Sequence, residues 1–275
     1  MSTDFKYMKK NDGHKTIIDL GGDLRIGHPN ETLFISGPCS IESLEQIETV
    51  AEVLVKNNIK IMRAGCFKPR TSPYSFMGLG EQGLELLSHV RSKYGLKIIT
   101  EVRDSTQVDL VLEHADIIQI GSKAMWDYGI HAACGNSNKP VLLKRHFGAS
   151  LKEFCQISEF IINHGNENVI LCERGVRGFN KQSRFLLDVC GVEWLKKHTH
   201  LPILLDPSHA MGESYAIKNL TLSCCALGVD GIMIESHPVP EEAKSDSAQQ
   251  VTLGALEDII DASKLVLGAV GKKLV

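Results

Sequence analysis

A chain of 275 residues, 43% apolar and 23% charged, can bury one large core or two small ones and has the make-up of an ordinary globular protein. Its net charge of -3 gives no footprint for nucleic acid or an anionic membrane surface, and no apolar run approaches bilayer-spanning length. The polar start, MSTDFKYMKKNDGHK, lacks the apolar core of a signal peptide and points to a cytoplasmic protein.

In chain order, Thr16–Leu20, Gly21-Gly22 and Leu24–Ile26 read as a hairpin with a glycine turn. It is placed as a cover over one end of the fold, in an N-terminal extension spanning residues 1–30. Apolar runs bounded by turn residues then predict strands at Leu33–Ser36, Lys60–Ala64, Lys97–Glu101, Ile117–Gly121, Val141–Lys144, Val169–Cys172, Ile203–Leu205 and Gly231–Glu235. Helical spacing falls between them, at Leu44–Asn57, Leu79–Tyr94, Ser105–His114, Leu151–Asn163 and Leu220–Leu227. Leu253–Leu274 reads as one or two closing helices. Alternating strands and helices imply parallel strands with crossovers, and eight such units fit a (β/α)8 TIM barrel over residues 31–275. A doubly wound open sheet is the competing fold, but it usually carries a glycine fingerprint after its first strand. Here that strand ends in GPCS.

Eight cysteines, at 39, 66, 134, 155, 172, 190, 224 and 225, form no CxxC pair, and several lie in apolar runs. Buried free thiols are expected rather than a disulfide framework. Cys39 differs, because it follows Gly37-Pro38 at a strand end.

Nearly every predicted strand ends in reactive side chains, and in a barrel those ends converge on one face. Cys39, His209, Glu235 and Asp246 offer sulfur, nitrogen and oxygen donors from strands one, seven and eight and the loop after eight. Mixed ligation of that kind suits Mn, Fe, Co or Zn better than Mg. Each also has a structural reading: core thiol, helix cap, salt-bridge partner and N-cap. A second set, Arg63, Lys68, Arg70, Lys123, Lys144 and Arg174, forms an anion cradle with more cations than one phosphate needs. Two phosphorylated substrates would explain the surplus, with some cations paired to Glu101, Glu173, Asp206 or Asp246. The loop from Gly65 to Phe76 is suited to such a cradle, with Lys68 as a point charge and Arg70 as a planar fork on a proline-stiffened backbone. Arg145 and Arg177 are assigned to structure or to the rim.

The ordered motifs GPCSIES, FKPRTSPYSFMGLGEQGL, LLKR, CERGVR, DPSHAMG, and MIESHP with KSD resemble the type I 3-deoxy-D-arabino-heptulosonate 7-phosphate (DAHP) synthases. The resemblance is strongest to the β subgroup, which is related to the 3-deoxy-octulosonate 8-phosphate synthases, and it covers roughly residues 15 to 265. It implies a transferase reaction, phosphoenolpyruvate plus erythrose 4-phosphate giving DAHP and phosphate, at the entry to the shikimate pathway and the aromatic amino acids. It also implies a divalent metal on Cys39, His209, Glu235 and Asp246. Phosphoenolpyruvate would lie on Arg63, Lys68, Lys144 and Arg174, with Ser122, Lys123 and Asp206 in the same site. Arg70, Thr71 and Ser72 would hold the sugar phosphate. Lys68, Glu101 and His209 would carry the catalytic steps. A homodimer or homotetramer is expected, and the lack of the N-terminal regulatory module of some relatives suggests no feedback control through such a module.

One departure stands out. The family usually reads GARN after its fourth strand, with the arginine on the phosphoenolpyruvate phosphate, whereas this chain reads Gly121-Ser122-Lys123-Ala124. Lysine keeps the charge and loses the bidentate fork. Three alternatives stay open at this point: an arabinose 5-phosphate acceptor, a Schiff-base aldolase using Lys144 or Lys68, and a barrel kept only for binding.

Overall fold

The computed structural model describes residues 5–10, 13–68, 72 and 74–275. A short antiparallel pair comes first, β1 (Ile18–Asp19) with β2 (Arg25–Ile26). Eight parallel strands follow: β3 (Glu31–Gly37), β4 (Ile61–Arg63), β5 (Lys97–Val102), β6 (Ile117–Ile120), β7 (Val141–Lys144), β8 (Val169–Glu173), β9 (Ile203–Leu205) and β10 (Gly231–Glu235). Each pairs with the next in sequence, and β10 closes the ring on β3 from Gly231 opposite Leu33 to Glu235 opposite Gly37. The expected TIM barrel is therefore formed. Its strands match the predicted apolar runs to within one or two residues at the ends.

Helices wrap the ring: α1 (Leu44–Lys56), α2 (Glu81–Tyr94), α3 (Val108–His114), α4 (Tyr128–Gly135), α5 (Leu151–Asn163), α6 (Val189–His198), α7 (Pro207–Met211), α8 (Ile217–Ala226) and α9 (Leu253–Ala269). Local chemistry sets their ends. Ser43 caps α1 by accepting from the Gln46 N–H, and Ser150 with Glu153 forms a reciprocal capping box on α5. The sequence pattern missed α4, α6 and α7, which are short and interrupted by glycine or by polar residues. It also read the C-terminal tail too helically. That tail is one helix, stopped at Gly271 with φ of 75°, and then strand β11 (Lys273–Leu274) paired to the start of β3.

Two apolar layers result. One lies between strands and helices and includes Phe34, Met62, Ile98, Ile118, Leu143, Leu171, Ile203 and Ile234. The other fills the barrel and includes Leu33, Ile35, Ile61, Ile99, Ile117, Leu142, Ile170, Leu204 and Met233. The hairpin residues Ile18, Leu20, Leu24 and Ile26 belong to that interior layer. The hairpin thus stoppers the barrel at the end where the strands begin. Ile26 is fully buried while its neighbour Arg25 is exposed. Ile26→Ala should lower unfolding free energy by about 2–5 kcal/mol, and Arg25→Ala by less than about 0.5 kcal/mol. Denaturant titration of both variants checks this, and equal effects would rule out a plug.

Candidate active site

Strand alternation decides which side chains reach the mouth. Successive residues of a strand point to opposite faces, and Ile99, Ile117, Leu142, Leu204 and Met233 point inward. Two residues further on stand Glu101, Gln119, Lys144, Asp206 and Glu235, with Arg63 likewise two residues beyond Ile61. A charged layer therefore sits directly on the apolar one. Glycine makes room for it: a Cβ on Gly121 would lie 2.2 Å from Glu101 Oε1. Gly37, at φ of 146°, packs so closely on Arg63 that a Cβ would sit 2.1 Å from its carbonyl oxygen.

The buried charges are linked. Lys144 Nζ lies 2.5 Å from Asp206 Oδ2, His209 Nδ1 is 2.8 Å from the same oxygen, and His209 Nε2 is 3.6 Å from Glu235 Oε1. Arg63 Nη1 donates to Glu235 Oε1 at 2.5 Å and to the Pro38 carbonyl at 3.0 Å. Burial alone would raise the carboxyl pKa values. His209 and Lys144 instead hold Asp206 well below the usual range, and His209 and Arg63 hold Glu235 at about 2. Burial lowers the His209 pKa despite Asp206 and Glu235, so the ring is neutral near pH 7. Its Nδ1 rests against Asp206, which leaves the Nε2 lone pair on the Glu235 side.

The ligand atoms of Cys39, Glu235 and Asp246 lie within 4.8 Å of one another. Cys39 Sγ is 3.2 Å from Asp246 Oδ2 and accepts from Lys68 Nζ at 2.9 Å. Asp246 is held in a left-handed conformation, φ 48°, a strained placement for a non-glycine residue that is commonest at functional sites. Burial and Glu235 push the Cys39 thiol up to about 12. A thiol so disfavoured as an anion needs a cation to become a ligand, and three acidic donors beside a neutral imidazole provide the chemistry for one. The donor set fits a divalent metal.

Arg63, Lys68, Lys144 and Arg174 line a cleft above this cluster with Glu101, Ser122, Lys123, His209 and Asp246. The cleft is small, with a cavity volume of about 160 Å³. A larger cavity on the barrel flank, lined by Tyr7, Trp126, Tyr128 and Phe160, lacks such convergent charges. Arg174 is buried, yet its Nε and Nη1 have no hydrogen-bond partner, and Arg63 Nε has none. Phe185 packs 4.6 Å from the Arg174 guanidinium and orients it. Burial works against the Arg174 charge, and Asp206 offsets this only in part. Buried, unpartnered guanidinium donors mark the place of an anion.

Of the sequence candidates, Arg70 and Thr71 lie outside the described residues. Ser72 accepts from the Tyr74 N–H at 3.3 Å. Glu173 is a correction: it does not pair with a cradle cation. The alternation that turns Cys172 inward turns Glu173 outward, where it binds Arg145 at 2.9 Å and the Gly175 N–H at 2.7 Å. Arg145 is structural, as expected, and also binds Asp188. His237, which follows the end of β10, also faces away, 3.9 Å from Glu42. Sequence reading missed Arg103 and Arg184, which line the cleft, and Gln249, which joins Glu235 to Arg184. Period-two spacing from Glu101 would have found Arg103. Arg184 sits in an irregular segment and Gln249 in a single 3-10 turn, Ser247–Gln249, neither of which carries such a signal.

The DAHP synthetase I family matches residues 11–266. A phospho-2-dehydro-3-deoxyheptonate aldolase of Thermotoga maritima is 43% identical over 259 residues, 94% of this chain and 76% of that protein. A 2-dehydro-3-deoxyphosphooctonate aldolase of Desulfatibacillum aliphaticivorans is 30% identical over 263 residues, 88% of this chain and 94% of the relative. The crystal structure of the Thermotoga maritima phospho-2-dehydro-3-deoxyheptonate aldolase (DAHP synthase) superposes with a TM-score of 0.96 at 40% identity, covering 99% of this chain and 79% of that one. With barrel, strand-end motifs and sequence matched along almost its whole length, the chain belongs to the DAHP synthetase I family.

Proposed function

We propose that this chain is a DAHP synthase, condensing phosphoenolpyruvate with erythrose 4-phosphate to give DAHP and inorganic phosphate. The observation that carries this reading is the set of buried guanidinium donors without a partner, Arg174 Nε and Nη1 and Arg63 Nε, beside the Cys39, Glu235 and Asp246 donors. One feature calls for an anion and the other for a metal. Sequence identity favours the four-carbon acceptor, since the relative named for the heptonate product is 43% identical and the relative named for the octonate product 30%.

Arg63, Lys144, Arg174 and Lys123 hold phosphoenolpyruvate, with Lys144 aligned by Asp206. Cys39, His209, Glu235 and Asp246 would hold a divalent ion, Mn, Fe, Co or Zn, whose Lewis acidity polarises the aldehyde oxygen. Arg70, Thr71 and Ser72 anchor the distal phosphate of the aldose. The enol carbon of phosphoenolpyruvate attacks the aldehyde carbon, and Lys68 protonates or stabilises the new alkoxide. Positive charge at the adjacent carbon is quenched by water. Glu101, fixed by Gln119 at 2.9 Å, orients that water and takes its proton. The tetrahedral adduct breaks its C–O bond and expels phosphate toward Lys144, Arg174 and Lys123.

Phosphate release from phosphoenolpyruvate should be faster with erythrose 4-phosphate than with arabinose 5-phosphate, and chelation should abolish it. Preference for the five-carbon sugar would reassign the chain to the octulosonate reaction, and borohydride trapping would reassign it to Schiff-base chemistry. Cys39→Ala should lower metal content measured by mass spectrometry; an unchanged content would remove Cys39 from the ligand set. Arg174→Gln removes an unpaired buried charge. It should therefore leave the empty protein as stable or raise its melting temperature, while lowering kcat roughly 10²–10³-fold. A destabilised but active variant would show that Arg174 serves the fold.

A further inference from the structure

The motifs at the strand ends do not account for Arg103. It follows the last residue of β5 and continues the inward register of Ile99 and Glu101. Its backbone N–H donates to Gln107 Oε1 at 3.2 Å, which fixes the strand end. Its Nη1 reaches Glu101 Oε1 only at 3.4 Å, and among the described residues the guanidinium makes no other hydrogen bond. The side chain is 23% exposed and lines the charged cleft.

Its position relative to Lys123 gives it a role. Strands β5 and β6 pair with Glu101 opposite Gln119 and Val102 opposite Ile120. Continued by one residue, that register sets Arg103 opposite Gly121, at the start of the turn that carries Ser122 and Lys123. Lys123 is exposed, lines the same cleft and makes no hydrogen bond or ion pair among the described residues. A lysine there supplies a point charge, whereas a phosphate is best held by a planar fork of two parallel N–H groups. Arg103 has such a fork, anchored loosely on one edge by Glu101. We propose that Arg103 makes the bidentate contact to the phosphate of phosphoenolpyruvate, with Lys123 beside it as a point charge. The substrate named here rests on the reading under Proposed function.

The test uses the full chain and Arg103→Gln, Arg103→Lys and the double variant Arg103→Gln/Lys123→Arg. Calorimetry with phosphoenolpyruvate alone is combined with KM for each substrate. Arg103→Gln should weaken phosphoenolpyruvate binding by about ten- to hundredfold, with the KM of the aldose changed little. Arg103→Lys should recover part of the loss, and Lys123→Arg should recover most of it by restoring a fork across the turn. A merely structural Arg103 would not be rescued from Lys123. Unchanged affinity in both single variants overturns the proposal, and a rise confined to the KM of the aldose moves Arg103 to the acceptor site. If no aldose releases phosphate, the DAHP synthase reading fails by itself. Binding of phosphoenolpyruvate that still depends on Arg103 would then uphold the contact.

Discussion

A continuous run of polar contacts crosses the barrel mouth, from Lys144 through Asp206, His209 and Glu235 to Arg63. It ties β7, β9, β10 and β4 together at the level where chemistry takes place. Each member is buried and would be costly alone. Asp206 also caps α7 by accepting from the His209 N–H at 3.0 Å. One carboxylate thus starts a helix, orients an imidazole and aligns a lysine. Rigid positioning of this kind lets a site stabilise charge in a transition state without reorganising.

The run does not neutralise the mouth. Among the described residues, Arg63, Lys68, Arg103, Lys123, Lys144, Arg174 and Arg184 line the cleft; against these seven cations stand four carboxylates, Glu101 and Asp246 in the lining and Asp206 and Glu235 buried beside it. The difference is three positive charges, on a chain whose net charge is -3. Phosphoenolpyruvate carries about -2.5 to -3, a phosphate of about -1.5 to -2 plus one carboxylate. It matches that surplus.

How much of this was legible depends on what each feature rests on. Barrel strands are short apolar runs, so composition alone exposes them, and the strand-end location of Cys39, Arg63, Lys144, Arg174 and Glu235 follows. The face of each side chain depends on strand parity, which a list of strand-end residues ignores. That is why Glu173 reads as a partner for the cradle cations although it packs outward on Arg145, and why Arg103 is overlooked. Arg184 comes from an irregular segment and Gln249 from a single 3-10 turn, where contacts are set by tertiary packing rather than by period. Strand β11 is two residues long, too short for any alternation to show.

The two ends of the barrel divide stability from function. At the end where the strands begin, the hairpin and inward Ile and Leu side chains remove apolar surface from water without a polar group to satisfy. At the other end, buried charges and unpartnered donors oppose folding until substrate arrives. Such a mouth can persist only on a scaffold with stability in reserve, and the stopper supplies it from the opposite side of the molecule. Effects of changes at sites that share no partners add nearly independently. The charge pattern around Lys123 and Arg103 can therefore change without cost to the apolar layer beneath it.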